Sequence, residues 1–359
     1  MGKLSGIRVV DCSQFLPGPM MTVMMADQGA EVIKVEPPAG DPVRAMAPFE
    51  NGQSVWFRNL NRGKQSRVID LKTDTGKAEL WALIESADVF VEGFRPGVMA
   101  RLGFPPELVA QRAPRVVYCS VSAFGQTGPL ADHPAHDLVV QALAGFLSVN
   151  DGPDGTPVVP GVPAADMAAG LTALSAVLMA LLGRAQTGRG DYLDIAMFES
   201  LLPWCVHVAG DALAGGTAPR SATQRSLGGA AFYQVYRTAD GRHISLGGRE
   251  AKFVRTLLTA LDRTDLIAAA EGEAGAGQAP ALTFLREIFA TKTRDEWTEW
   301  FAHRDVAFAP VLDFAEALRE PHIAERNLLI EADGAHHLAP AIRFAGERWT
   351  AAPAPELGG

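Results

Sequence analysis

The chain has 359 residues, 48% apolar and 20% charged, with a formal net charge of −9. That length is about two domains' worth, and the composition is globular with enough apolar material for a sizeable core, which excludes a mainly disordered chain. The acidic balance excludes a general nucleic-acid binder, and three widely spaced cysteines, Cys12, Cys119 and Cys205, exclude a disulfide framework and suit a reducing compartment.

The opening MGKLSGIRVVDCSQ has no apolar run after its charge, so it does not read as a signal peptide, and a cytoplasmic protein is expected. Residues 7–11 (IRVVD) form an apolar run expected to be a buried parallel strand. The Pro17-Gly18-Pro19 turn follows, then a helix over 20–28 stopped by Gly29. Residues 31–36 (EVIKVE) make a second strand, closed by Pro37 and Pro38, which completes a βαβ unit. Further strands are expected at 67–71, 89–92 and 116–122, with a helix over 74–87 capped by Thr73 or Asp74. Strands alternating with helices imply an α/β fold with a mostly parallel sheet.

A long helix is expected over 166–187, ending at Gly188-Arg189-Gly190. Its apolar stretch, 167–182, is about 16 residues, short of the roughly 20 that span a bilayer, so it reads as a core helix and no membrane partner is expected. A strand at 192–196 and a helix over 198–213 follow. Residues 214–226 are rich in Gly, Ser, Thr and Arg and mark the start of a smaller domain. Within it, 231–237 and 243–246 read as a hairpin around Ala239-Asp240-Gly241, 252–261 and 294–302 as helices, and 268–280 as a loop.

The dinucleotide fingerprint G-x-G-x-x-G is absent after the first strand, where the sequence is QFLPGPMMTVM, which disfavours a nicotinamide or flavin enzyme. No P-loop, G-x-S-x-G elbow or H-E-x-x-H helix is present. No metal site is expected: there is no C-x-x-C, and His336-His337 lacks a further ligand.

Three ionisable positions stand out. Asp166 opens an apolar helix whose first turn is small (Met167, Ala168, Ala169, Gly170). The simple role is N-capping. The sharper one is a carboxylate that attacks a thioester or shuttles a proton, with the small residues letting a bulky ligand approach. His136, followed by Asp137 and LVVQALAGFL, is either a hydrogen-bonded helix-start histidine or a general base. Glu250, after Gly247-Gly248, is either a solvated loop carboxylate or a functional one. Gly228-Gly229 is either a turn or a pair of N–H groups facing an oxyanion.

The segments LSGIRVVDCSQFLPGPMMTVMMADQGAEVIKVEPPAGDPVR, NRGKQSRVIDLK, ADVFVEGFRPGVMARLGF, SAFGQTGP, HDLVVQALAG, TGRGDYLDIAM and EPHIAERNLL resemble, in order and over nearly the whole chain, the class III CoA-transferases (the CaiB/BaiF group). The resemblance implies a Rossmann-like large domain (1–213, with 313–359 returning to it), a smaller α+β domain (214–312) and an interlocked homodimer. It implies no permanently bound cofactor, with coenzyme A and acyl-CoA as substrates and a carboxylic acid as acceptor. In the transferases of this family the residue matching Asp166 forms an aspartyl-CoA intermediate, shielded by a Gly-rich loop for which Gly228 and Gly229 are the nearest match. In the related α-methylacyl-CoA racemases, the residues matching Asp166 and His136 move the Cα proton, with the match to Glu250 holding the histidine. The long PAGDPVR…VIDLK region and Gln141-Ala142 favour transferase; His136 with Glu250 favours racemase as the alternative. For CoA, the resemblance points to Arg101, with Arg44, Lys64 and Arg95 for phosphates and Phe94 and Leu71 beside them. Pro37 stands where several members carry a CoA-binding Arg, so the phosphate contacts are distributed differently.

Overall fold

Four-to-six-residue runs rich in Val and Ile build a six-stranded, wholly parallel sheet: β1 (Arg8–Asp11), β2 (Glu31–Glu36), β3 (Gln65–Val68), β4 (Val89–Glu92), β5 (Val117–Ser122) and β6 (Tyr192–Ala196). The computed structural model describes residues 2–152, 154–332, 334–347 and 349–359. The chain divides into two compact units, one of Met1–Ala144, Gly161–Trp204 and Pro321–Gly359, the other of Gly145–Pro160 and Cys205–Glu320.

In the first unit the strand order is β3-β2-β1-β4-β5-β6, that of a doubly wound α/β sheet. The order reverses between β1 and β4, and ligands of such sheets bind beyond the carboxyl ends of the strands at that reversal. Helices α1 (Pro17–Asp27), α2 (Val55–Asn61), α3 (Asp74–Glu85), α4 (Val98–Leu102), α5 (Pro106–Arg112), α6 (Asp137–Leu143), α7 (Ala164–Thr187) and α8 (Met197–Leu201) accompany the sheet. Val10, Ile33, Val35, Leu80, Trp81, Ile84, Phe90, Phe104 and Tyr118 form the core on the α3 side. A two-stranded ribbon, Leu329–Ala332 with Ala335–Leu338, belongs to the same unit.

Several elements differ from the sequence reading. Helix α1 starts three residues early, because a proline costs nothing at the first helical positions, where the N–H is unpaired anyway. β3 spans Gln65–Val68 rather than 67–71. α7 is 24 residues long, enough to cross a bilayer by length and composition; here it packs on α1, β5 and β6. The expected helix over 198–213 breaks into α8, a 3₁₀ turn at Leu202–Cys205 and Gly210–Gly215. Pro203 removes a donor there. Gly210–Gly215 also runs through the expected domain boundary at 213/214.

The second unit is a three-stranded antiparallel sheet with His243–Gly247 between Tyr233–Arg237 and Phe308–Pro310. Helices Ala251–Ala260, Ala279–Phe289 and Arg294–Phe301 close its core around Tyr236, Phe289, Trp297 and Phe301. The expected loop over 268–280 is largely helical, with turns at Ile267–Glu271 and Ala276–Gln278. Gln278 organises it by accepting from Ala231 N at 2.8 Å and donating to Gly272 O at 2.7 Å.

Candidate active site

The site begins at the loop after β1. Asp11 ends that strand fully buried. Its carboxylate accepts from Ser13 N (2.9 Å), Thr22 Oγ1 (2.6 Å) and Lys64 Nζ (3.1 Å). Burial alone would raise its pKa, but Lys64, Lys34 and the two hydroxyls outweigh it and hold the group at about 2. Lys34 in turn pairs with Asp41 at 2.8 Å. This buried ion network fixes the turn that carries Phe15, whose φ of 63° is unusual for an aromatic residue. The Phe15 ring stands edge-on to His136, with centroids 6.1 Å apart.

Helix α7 starts behind Pro163, which offers no side-chain cap. The cap comes from α6 instead. Asp137 Oδ1 accepts from Ala165 N at 2.8 Å and Asp166 N at 3.2 Å, while its Oδ2 accepts from Gln141 Nε2 at 2.5 Å. The capping role the sequence suggested for Asp166 therefore belongs to Asp137. Asp166 sits in the first turn of α7, half-buried, and its side chain has no hydrogen bond among the described residues. Burial first, and the Asp137 charge second, push its pKa up to about 7. The result is a carboxylate that holds its proton well above the usual carboxylate range and is still partly open to solvent.

The small residues after Asp166 serve packing rather than ligand access. A Cβ on Gly170 would lie 2.9 Å from Pro17 O and 3.3 Å from Met20 Sδ, so the gap is already filled by α1. Ala165, Ala168, Ala169 and Ala173 are buried along the same helix.

The structure sorts the expected binding residues. His136 is the exposed N-cap residue of α6, next to Asp137, with no side-chain cap bond. Arg95 and Arg101 are exposed beyond β4, in and just after the segment that begins at Gly93, and neither has an ion-pair partner among the described residues. Phe94 and Leu71 are half-buried against the α3-side core. Arg44 and Lys64, by contrast, are committed to internal partners. Arg44 binds Glu36 at 2.7 and 2.8 Å, donates to Pro355 O at 3.0 Å and lies over the Phe57 ring; Lys64 is buried on Asp11. A charge locked on a buried carboxylate is not available for a phosphate.

In the second unit, Glu250 is exposed at the N-cap of Ala251–Ala260 without a side-chain cap bond. Gly228 adopts a φ of 94°, and its carbonyl accepts from Gln234 Nε2 at 2.6 Å. Gly229 N–H donates to Gln224 O at 3.1 Å, so it is spent within its own turn and does not face an oxyanion. His336 does have a partner: its Nδ1 lies 3.1 Å from Glu50 Oε1.

Sequence reasoning passed over Gln141 as a site residue and read Asp137 only as a neighbour of His136. The signal was available: Asp137 and Gln141 are four apart on one helix, the spacing at which side chains meet. That the pair reaches across to α7 is a tertiary fact.

Residues 4–359 match CoA-transferase family III. The acetyl-CoA:oxalate CoA-transferase of Acetobacter aceti is 34% identical over 96% of this chain and 90% of its own length. The succinyl-CoA:glutarate CoA-transferase of Homo sapiens is 30% identical over 99% and 83%. The α-methylacyl-CoA racemase of Homo sapiens is 34% identical over 92% and 83%. A CaiB/BaiF family protein from Brucella suis superposes with a TM-score of 0.86 at 30% identity, covering 99% of this chain and 97% of that one. The chain thus belongs to CoA-transferase family III.

Proposed function

We propose that the chain transfers CoA from an acyl-CoA thioester to a carboxylic acid with Asp166 as covalent nucleophile. The observation that carries this is a half-buried carboxylate with no side-chain hydrogen bond among the described residues, beside a second carboxylate that has taken the helix N–H groups. Its ionised form is poorly solvated and therefore reactive. The carboxylate oxygen attacks the thioester carbonyl, and the C–S bond breaks to release CoA thiolate and leave a mixed anhydride. The thiolate then attacks the Asp166 carbonyl carbon, expelling the donor acid as its carboxylate and forming an aspartyl-CoA thioester. An incoming carboxylate repeats the two steps in reverse and leaves as the new acyl-CoA, and Asp166 is regenerated as carboxylate.

Arg101 and Arg95 are the cations free to meet the CoA phosphates, beyond the strand ends where the sheet order reverses, with Phe94 and Leu71 as apolar neighbours. Arg44 and Lys64, held on Glu36 and Asp11, take no part in phosphate binding. The active molecule is a homodimer: α7 leaves Leu171, Met179 and Leu182 exposed at helical spacing, an apolar stripe that a second subunit would cover. Unpaired Cys12 and Cys119, both buried, fit a cytoplasmic enzyme.

A 1,1-proton transfer at Cα is the second reading. It is favoured by His136, which lies next to the Asp137 that caps the Asp166 turn, and by the likeness to the racemase. Incubation with acyl-CoA and hydroxylamine, followed by intact mass, separates the two. A hydroxamate at Asp166 is expected for transfer. No adduct, together with deuterium uptake at Cα from heavy water, would instead establish proton transfer.

A further inference from the structure

Gln141 is fully buried one helical turn after Asp137, and the two ends of its amide fare differently. Nε2 donates to Asp137 Oδ2 at 2.5 Å and to Val162 O at 3.3 Å. Oε1 is buried with no hydrogen-bond partner among the described residues. In this orientation Asp137 Oδ2 accepts, whereas the turned amide would need a proton on Oδ2 to make the contact, so the orientation present favours an ionised Asp137. Asp137 thus gathers three N–H donors, from Ala165, Asp166 and Gln141, and all three favour its charged form. The Asp166 side chain gathers none. Two neighbouring, half-buried carboxylates repel each other when both are charged, so the first proton to bind is held by the pair.

We propose that Gln141 is a positioning residue that decides where this proton resides: by donating to Asp137 it keeps Asp137 ionised and leaves the proton on Asp166. The proton comes from solvent and returns to it, since Asp166 is open on one side. The bare Oε1 is the cost of holding the amide in this sense.

Among the described residues, no other charge on the elements packed around Asp166 competes for the role. On α6, His136 is exposed. On α1, Asp27 lies at the far end, paired with Arg62 at 2.6 Å. On α8, Glu199 is exposed. On β5 and β6, burial raises Tyr118, Cys119 and Tyr192 and so keeps them neutral, and Asp194 accepts from Gln126 N. Of all these, Asp137 is the charge that acts on Asp166.

The proposal rests on Asp166 as the reacting group for its catalytic consequence, but its test does not require turnover. Carbon-13 carboxyl NMR of aspartate-labelled protein, with Asp166→Asn for assignment, follows both groups directly. In the unsubstituted protein Asp166 is expected to titrate near neutrality while Asp137 stays ionised. In Gln141→Met, which keeps the bulk and removes the donor, Asp137 takes a share of the proton and the Asp166 midpoint falls by about one unit, a tenfold change in ionised fraction. In Gln141→Glu the introduced carboxyl is buried and neutral, donates as the amide did, and brings the midpoint back. A folded Gln141→Met protein with an unmoved Asp166 midpoint overturns the proposal. If neither variant folds, the unsubstituted titration decides, and Asp137 titrating in place of Asp166 overturns it. The pH profile of kcat/KM should move with the NMR midpoint; a profile that stays put while the NMR moves refutes the catalytic reading of Asp166 and leaves the proton assignment standing.

Discussion

Replacing Asp166 by Asn should stabilise the protein, and the gain should grow with pH. Burial and the Asp137 charge raise the Asp166 pKa from 3.8 to about 7. Below pH 3.8 the carboxyl is protonated in both folded and unfolded chains, and it affects stability little. Between 3.8 and 7 the unfolded chain has released the proton while the folded one keeps it, so the folded state binds more protons and stability falls as pH rises. Above 7 the folded chain holds an unfavourable charge and the penalty is complete. At about 1.4 kcal/mol per unit the ceiling is roughly 4 kcal/mol, and solvent at the open side reduces this to about 2–3 kcal/mol. Asn keeps the shape and removes the charge. Urea unfolding of both proteins at pH 5, 6, 7 and 8 is the assay: the Asn variant's lead at pH 5 should be roughly two-fifths of its lead at pH 8, where the penalty is nearly complete. A lead that is constant with pH, or that shrinks, would refute a raised Asp166 pKa and with it the electrostatic account of the site.

Asp137→Asn keeps an acceptor for the α7 N–H groups and removes the charge. The Asp166 midpoint should fall but stay above 3.8, because burial is the larger cause, and the acid limb of the pH–rate profile should move to lower pH. Lys64→Met leaves Asp11 buried with its nearest cation gone; a loss of about 3–5 kcal/mol is expected in urea unfolding, least at acidic pH where Asp11 can protonate. Gly170→Ala puts a methyl against the backbone of Pro17, and the clash should exceed the helix-propensity gain of about 1 kcal/mol, for a net loss seen as a lowered thermal midpoint. His136→Ala should abolish Cα deuterium exchange in a racemase and only weaken acyl transfer in a transferase, as product analysis by mass will tell.

The parallel sheet was legible because the strands β1, β4 and β5 and most of β2 are buried on both faces, and five of the six lie within a residue or two of where the pattern put them. The long helix was legible from its composition, and its start was not, since Asp137 caps it from 28 residues away. The same distance hid the division of labour between two aspartates that look alike in sequence. Arg44 and Lys64 looked available because a sequence shows a cation without the carboxylate that neutralises it. Glu36 and Asp11 lie 8 and 53 residues from those cations, and only the fold brings them together. The helix expected over 198–213 runs through Pro203, and there the local rule prevailed and the helix breaks.

The start of a helix ordinarily favours a negative charge, through its free N–H groups and its dipole, so a carboxylate in the first turn of α7 should have a low pKa. Asp166 goes the other way, and the geometry supplies the reason. The N–H groups nearest to it, including its own, point at Asp137, which takes the benefit of the helix terminus. Asp166 is left with the burial and with a like charge alongside. Had Asp166 capped its own helix, it would have been a stable, hydrated and unreactive anion. Handing the cap to a neighbour on α6 separates the two tasks: one aspartate holds the helix, and the other is kept ill at ease as an ion, the condition in which a carboxylate gains most by bonding to carbon or to a proton.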